Sequence, residues 1–315
     1  MQGHQFCKAL FDDIFLPVLQ ERFPDVLPRL SAGVIGSGSD VIGVDDELSR
    51  DHDWGPSKCR LLLPEKDLSE HGSAIAQALV AALPDEFLGI DINQLHPKTV
   101  NVNTIDAAYR DTCGLTHPPE TIPEWGSTNE NGLFFAASGF VLYDPSGSLK
   151  QRMTAFQNAY YPSDIWKWKI AGALWDIWHN ADYNSCRRLA KRGDGVGLLI
   201  GQGEFVSEII TLFCLFNKQF PIFWKWKYWQ FQRLSKWTDK IDPALRDLEA
   251  ASDHATRGKI MEAMCQTVRE ILQEMGLLPD AEWRNFMGSR HILKQIESTE
   301  ARAWIISEDP SSNVW

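Results

Sequence analysis

The chain has 315 residues, of which 44% are apolar and 23% are charged, a composition typical of a globular protein with a substantial core. This length suffices for one large domain or two ordinary ones. The 42 acidic against 31 basic side chains give a formal charge of −11, which disfavours nucleic acid as a partner. We find no signal peptide and no apolar run near the roughly 20 residues that span a bilayer, so we expect a cytoplasmic protein without a membrane partner.

The cysteines are scattered along the chain and form no CxxC pair. They predict neither a disulfide framework nor a zinc site, and reduced thiols fit a cytosolic protein. The six positions are Cys7, Cys59, Cys113, Cys186, Cys214 and Cys265.

The first half of the chain alternates between helix and strand patterns. Apolar periodicity predicts helices over residues 5–20 and 67–84. Strands are predicted over residues 32–36, 52–64, 87–92, 98–105 and 140–147.

From about residue 149 the pattern is almost entirely helical. Helices are predicted over residues 162–181, 203–220, 223–238 and 257–276. The composition therefore favours an α+β fold in two parts, a mixed domain over residues 1–148 and an all-helical domain over residues 149–315.

One stretch of the first half, "GSGSDVIGVDDELSRDHDWGP" over residues 36–56, combines small residues with six acids. Alternate side chains of a strand share a face, so a strand here would project Asp51 and Asp53 together and His52 to the other side. Two such carboxylates suit Mg²⁺, which prefers oxygen ligands and often works as a pair of ions in phosphoryl transfer.

The small residues that precede this acidic pair suit a phosphate. Gly36 and Gly38 lack a Cβ atom, so their backbone amides can approach an anion closely, and the hydroxyls of Ser37 and Ser39 add donors. Either feature alone is more often a solvated strand edge or an ordinary turn. Their order, an apolar strand, Gly-Ser and then Asp-x-Asp, favours a nucleotide site.

This order resembles the nucleotidyltransferase superfamily with the polymerase-β-type palm. The stretch above, with "VNVNTIDAAYRDTCGL", "GFVLYDPSGSL", "YYPSDIWKWKIA" and "NKQFPIFWKW", resembles the family called domain of unknown function 4037. The antibiotic-modifying adenylyltransferases are more distantly similar. The resemblance implies a palm followed by a helical domain, with two Mg²⁺ ions and ATP or another nucleoside triphosphate.

On this resemblance, Asp51 and Asp53 are the catalytic residues and metal ligands, and residues 36–39 hold the triphosphate. The implied reaction transfers a nucleoside monophosphate, with AMP from ATP favoured, onto a hydroxyl or amine of a small polar acceptor. The acidic surface favours a cationic acceptor.

The sequence departs from the superfamily pattern at the third carboxylate, where Asn101 stands. An amide oxygen can bind a metal but cannot take up a proton. The remaining candidates for a base are Asp45, Asp46, Asp91 and Asp144. The alternative function is a nucleotide-binding sensor or regulatory partner of the same fold.

The 13 tryptophans leave further interpretations open. The segments "WKWK" and "FWKWKYW" fit core helices whose lysines reach outward to solvent. They also fit a nucleotide site in which Arg192 or Lys225 binds phosphate beside a stacked tryptophan. An interfacial membrane helix and a single-strand nucleic-acid site are disfavoured alternatives. Arg192 itself lies in a Gly-rich segment, residues 188–199, whose composition predicts a linker turn between helices.

Overall fold

The computed structural model describes residues 1–51, 54–95, 99–281 and 284–309, which form two compact units. The first unit comprises Met1–Pro119 and Thr128–Ala159. The second comprises Glu120–Ser127 and the chain from Tyr160 onward. The fold is α+β, with a small mixed sheet and a helical C-terminal region. The first unit ends at Ala159. The predicted boundary between two functional domains after residue 148 stays a prediction.

The first unit contains a four-stranded mixed sheet in the order β5-β2-β1-β6. Strand β1 is antiparallel to both β2 and β6, and β2 is parallel to β5. All four residues of β1 are buried, as expected for an inner strand. The strands are β1 Ser31–Val34, β2 Arg60–Leu62, β3 Glu86–Phe87, β4 Ile90–Asp91, β5 Val102–Asn103 and β6 Phe140–Tyr143.

The register of the sheet determines which loops meet at one of its ends. Gly33 of β1 pairs with Arg60, and the next residue of β1, Val34, pairs with Phe140. Strand β5 runs parallel to β2, with Leu61 opposite Val102. The loop that follows β1 therefore leaves the sheet at the end where β2, β5 and β6 begin. We call this end of the sheet the Gly-Ser end.

The helix predicted over residues 5–20 is confirmed, and it extends from Gly3 to Arg22 with π-helical turns at Phe11–Phe15. Its buried face recurs at helical spacing and carries Phe6, Leu10, Phe11, Phe15 and Leu19. The other α-helices described in the first unit are Glu65–Ala82, Ile105–Cys113, Glu130–Ala136 and Ser148–Asn158.

The strand predicted over residues 87–92 is instead a short hairpin of β3 and β4. Leu88 and Gly89 join the two strands with φ of 52° and 76°. Two successive residues at positive φ are typical of the tight turn that suits the twist of a hairpin. The alternation of apolar residues was read correctly as extended chain, but the turn at Gly89 divides it.

The second unit is helical. The helices predicted over residues 162–181, 203–220 and 257–276 are confirmed, with different bounds. The first of them continues into π-helical turns at His179–Leu189. The α-helices are Ile122–Ser127, Ser163–Trp178, Ala190–Arg192, Gly195–Phe216, Lys227–Phe231, Thr238–Ala250, His254–Glu274, Asn285–Leu293 and Thr299–Glu308.

The single helix predicted over residues 223–238 is wrong. A 3₁₀ turn at Trp224–Trp226 leads into a short α-helix, Lys227–Phe231. The side chain of Gln230 accepts a hydrogen bond from the amide of Ile222 and donates one to the carbonyl of Phe220. These bonds hold the preceding extended segment against the short helix.

The helix Gly195–Phe216 is long and apolar enough to cross a membrane by length and composition, with a mean hydropathy of 1.6 over its best window. The expectation that the chain has no apolar segment long enough to span a bilayer is therefore wrong for this helix, by length and composition. Within the structure 56% of that window is buried, as in a core helix of a globular unit.

Candidate functional site

The candidate site lies at the Gly-Ser end of the sheet, where residues 36–39 follow β1. Gly36 and Gly38 have φ of 105° and 137°, a region that side chains with a Cβ atom rarely adopt. Ser37 is exposed and Ser39 is half-buried. The structure thus confirms a tight glycine-dependent loop at the predicted position, which we call the Gly-Ser loop.

Two cationic side chains reach this loop. Lys58 lies two residues before β2, and Arg60 is the first residue of β2. The Nζ atom of Lys58 donates a hydrogen bond to the carbonyl of Ser37 at 3.0 Å. A Cβ atom at Gly36 would lie 2.8 Å from Nη2 of Arg60, so glycine is what lets the guanidinium approach the backbone. Neither residue is among the predicted site residues, although Lys-x-Arg stands at the start of this inner strand.

A buried carboxylate, Asp40, completes this cluster. Its Oδ1 atom lies 3.6 Å from Nζ of Lys58. Burial raises the pKa of Asp40, and the Lys58 ammonium opposes that shift. The other oxygen, Oδ2, has no hydrogen-bond partner among the residues that the structure describes. Asp40 was not among the predicted candidates.

The guanidinium of Arg60 is also incompletely paired. Its Nε atom is buried and has no hydrogen-bond partner in the described part of the chain. Burial lowers the pKa of Arg60, whereas Asp111 and Asp40 act in the opposite direction. A buried donor without an acceptor is unfavourable. Together, Arg60, Lys58 and the Gly-Ser loop can bind an anionic group such as a phosphate.

The strand predicted over residues 52–64 is wrong in its first part, because β2 begins only at Arg60. Asp51 is exposed and ends a 3₁₀ turn, Leu48–Arg50, with φ and ψ of −65° and −29°. Gly55 at φ 99° and a second 3₁₀ turn that starts at Pro56 separate it from β2. Asp51 therefore lacks the strand conformation on which the shared-face argument depended.

His52 and Asp53 lie outside the described residues, so the predicted pairing of Asp51 with Asp53 stays a prediction. Within residues 1–51, 54–95, 99–281 and 284–309, no group of three or more His, Cys, Asp or Glu side chains could hold a metal ion. The predicted two-ion site therefore has no further support from the described geometry.

Two of the four candidate bases are engaged in local structure next to the loop. Asp45 is buried, and its Oδ2 atom accepts hydrogen bonds from the amide of Gly3 at 2.6 Å and from Nε1 of Trp54 at 2.9 Å. Asp46 is exposed, and bonds from the Ser49 hydroxyl and amide lower its pKa. Asp45 thus fixes the acidic segment to the N-terminal helix.

Asp91 and Asp144 serve as caps and turn residues. The carboxylate of Asp91 accepts hydrogen bonds from the amide of Asn93 and the side chain of Gln94. Asp144 follows β6 and accepts from the Ser31 hydroxyl at 2.7 Å and the Lys150 amide at 2.9 Å. Because Ser31 begins β1, Asp144 lies at the end of the sheet away from the Gly-Ser loop, and its interpretation as a turn residue is favoured.

Asn101 lies at the Gly-Ser end of the sheet. It directly precedes β5, and its carbonyl accepts a hydrogen bond from the amide of Leu61 at 2.9 Å. The residue aligned with the missing third carboxylate is thus level with Arg60 and Gly33, at the same end as the loop.

Arg192 and Lys225 belong to the second unit, and both are exposed. Arg192 ends the helix Ala190–Arg192, directly before Gly193 at φ 68°. The ammonium of Lys225 lies 5.5 Å from the ring centroid of Trp226. The two units are described separately, so the predicted role of these residues in phosphate binding stays a prediction.

Comparison with known proteins yields one family. The model called Domain of unknown function (DUF4037) matches residues 125–227, which supports the family resemblance over about a third of the chain. The matched segment includes Arg192 and Lys225, whereas the Gly-Ser loop and Asp51 precede it. No curated protein and no solved structure matches the chain.

Proposed function

We propose that the protein is a Mg²⁺-dependent nucleotidyltransferase. In this proposal the first unit binds a nucleoside triphosphate, ATP in the first instance, and a nucleoside monophosphate passes to a hydroxyl or amine of a small polar acceptor. The observation that carries the proposal is the convergence of Lys58 and Arg60 on the Gly-Ser loop. The helical region, with Arg192 and Lys225, would select the acceptor and contribute to phosphate binding.

The chain's own residues bind and orient the nucleotide in this proposal. The backbone amides of the Gly-Ser loop donate to phosphate oxygens, and Arg60 supplies a donor that lacks a described partner. Arg60 can bind two phosphate oxygens at once, because its donors form a planar fork. A bound phosphate would thereby satisfy a guanidinium that is costly to bury alone.

Asp51 and Asp53 would hold the magnesium ions, whose role would be to neutralise phosphate charge. Asp40 adds a buried carboxylate at the loop, and burial raises its pKa. It joins Asp46 as a candidate proton acceptor in place of Asn101.

The first test is ATP binding by calorimetry with and without Mg²⁺. We expect Arg60→Met to weaken binding at least about tenfold, because a bidentate charged contact is lost. Lys66→Met is the matched control, since it removes an exposed cation of the same unit. Asp51→Asn and Asp53→Asn should remove the Mg²⁺ dependence. Equal binding by all of these variants would overturn the proposal.

The second test separates transfer from binding alone. A nucleotide-binding sensor is the alternative function, and the amide of Asn101 at the Gly-Ser end favours it, because an amide cannot act as a base. With ATP, Mg²⁺ and a panel of small aminated and hydroxylated acceptors, transfer requires pyrophosphate release. Tight binding without pyrophosphate in the wild type, together with turnover in Asn101→Glu, would favour the sensor.

A further inference from the structure

A cavity of about 230 Å³ lies within the second unit, and its described lining includes none of the residues assigned to nucleotide binding. The π-helical turns His179–Leu189 form one wall, and the helices His254–Glu274 and Asn285–Leu293 form the others. One water molecule occupies about 30 Å³ of liquid, so the space suits a small organic molecule. π-helical turns within α-helices occur often at functional sites.

The cavity contains a buried amide whose donor is unused. Asn285 is only 2% exposed, and its Oδ1 atom accepts a hydrogen bond from Nη1 of Arg269 at 3.0 Å. Its Nδ2 atom has no oxygen or nitrogen acceptor among the described residues, and its neighbour is the Cys265 thiol, whose pKa burial raises and Asn285 lowers. Arg269 is fixed by two further acceptors, the carbonyl of Ala281 and the side chain of Gln266. Asn285 therefore directs an N–H₂ group into the cavity, and the hydrogen bond from Arg269 to its Oδ1 atom fixes the orientation of the amide.

The position of Asn285 at the start of its helix also favours a ligand that accepts hydrogen bonds. It is the first residue of Asn285–Leu293, and Arg284 caps that helix. The start of a helix carries a partial positive charge and amides without intrahelical acceptors. The helix end and the buried amide therefore both favour a ligand with negatively charged oxygens.

Among the lining residues that the structure describes, the formal charges sum to +1, because three arginines face two acids. Arg187 and Arg284 share one carboxylate, that of Asp182, at 3.0 and 3.7 Å. Each guanidinium has five N–H donors, and two carboxylate oxygens cannot satisfy ten. Glu262 is the second acid, and it is exposed. Both Arg187 and Arg284 are exposed, which places them at the opening to solvent.

We propose that this cavity binds a small organic anion, a carboxylate or a phosphate ester, whose charged oxygens contact Asn285 and Arg284. The apolar body of the ligand packs against Trp178, Ala181 and Cys265, which also line the cavity. This site is separate from the residues of the nucleotidyl-transfer proposal, because its described lining includes neither Arg192 nor Lys225 and no residue of the first unit.

Calorimetry of the full chain with three matched probes tests the proposal. Phenylacetate and phenyl phosphate carry the two anionic groups on the same ring, and phenylacetamide is the neutral control. We expect one or both anions to bind and the amide not to bind. Asn285→Asp keeps the acceptor for Arg269 but replaces the unused donor with a charged oxygen, so affinity should fall at least tenfold. Asn158→Asp makes the same substitution on an exposed helix end of the first unit.

A second measurement covers the case in which Asn285→Asp fails to fold. Cys186 lines the cavity and is the half-buried cysteine of the chain, whereas the other five are buried. An anion in the cavity should slow maleimide labelling of Cys186 at least severalfold, and Arg284→Met should restore the rate. Equal binding of phenylacetamide, or labelling of Cys186 unchanged by both anions, would overturn the proposal.

Discussion

The Gly-Ser end of the sheet and the cavity of the helical unit each contain a half-buried arginine, but the two guanidinium groups are paired differently. At the Gly-Ser end, the Nε atom of Arg60 lacks a described partner, and the adjoining loop depends on glycine conformation. In the cavity, Arg269 is held by three acceptors and in turn holds Asn285. One site is shaped by backbone and the other by a side-chain network.

This difference predicts that removal of Arg269 and removal of Arg60 change the free energy of unfolding differently. A guanidinium with satisfied acceptors stabilises the fold, because its removal leaves those acceptors buried and unpaired. Removal of a buried guanidinium that lacks acceptors leaves no acceptor unpaired and relieves the cost of burying its charge, so it should not lower the free energy of unfolding. The four changes below test this contrast.

The largest effect is expected for Arg269→Met. The substitution leaves Oδ1 of Asn285 and the carbonyl of Ala281 without their donor, so the free energy of unfolding should fall by about 2–3 kcal/mol. Chemical denaturation followed by tryptophan fluorescence measures it. The control is Arg246→Met, whose exposed i,i+4 pair with Asp242 is screened by solvent, so the free energy of unfolding should fall much less. Equal losses in the two variants would contradict the side-chain network.

A somewhat smaller loss is expected for Gly38→Ala. A φ of 137° is strained for any residue with a Cβ atom, at a cost of about 1–3 kcal/mol. The matched control is Gly203→Ala within a helix, where a Cβ atom would meet nothing within 4 Å. That control should stabilise by about 0.5–1 kcal/mol. Similar thermal unfolding of both variants would show that the loop does not depend on glycine.

A pH dependence is expected from Asp40. Its pKa in the folded state is raised by burial, so the folded protein holds this proton more tightly than the unfolded chain. Stability should therefore fall as pH rises from the unfolded value of 3.8 through the folded pKa. Asp40→Asn removes this titration, and its stability relative to wild type should improve across the same window. A constant difference between the two proteins at every pH would refute the assignment.

The smallest effect on stability is expected for Arg60→Met. Burial disfavours the charge, and the buried Nε atom has no described acceptor to lose, so the free energy of unfolding should stay unchanged or rise by up to about 1 kcal/mol. The same variant should weaken ATP binding, which separates a ligand-binding arginine from a structural one. A loss comparable to that of Arg269→Met would show that the contrast between the two regions is wrong.

The Gly-Ser loop could be predicted from sequence because its cause is local. Gly36 and Gly38 follow an apolar strand directly, and the conformation of a loop depends on its own backbone. The strand predicted for Asp51 failed because local alternation was extended across Gly55 and Pro56. Lys58 and Arg60 were missed because their approach to Gly36 depends on the pairing of β1 with β2.

By itself the sequence determined the α+β composition, the helical second half and the glycine loop, since each depends on periodicity or conformation within a short segment. The tertiary structure alone decided that Asp144 lies at the opposite end of the sheet, because strand direction is set by long-range pairing. It also decided the cavity around Asn285, because one wall, which ends at Arg187, lies more than 70 residues before the others, which begin at Glu262. No local pattern encodes contacts at that separation, because they form only when the helices pack.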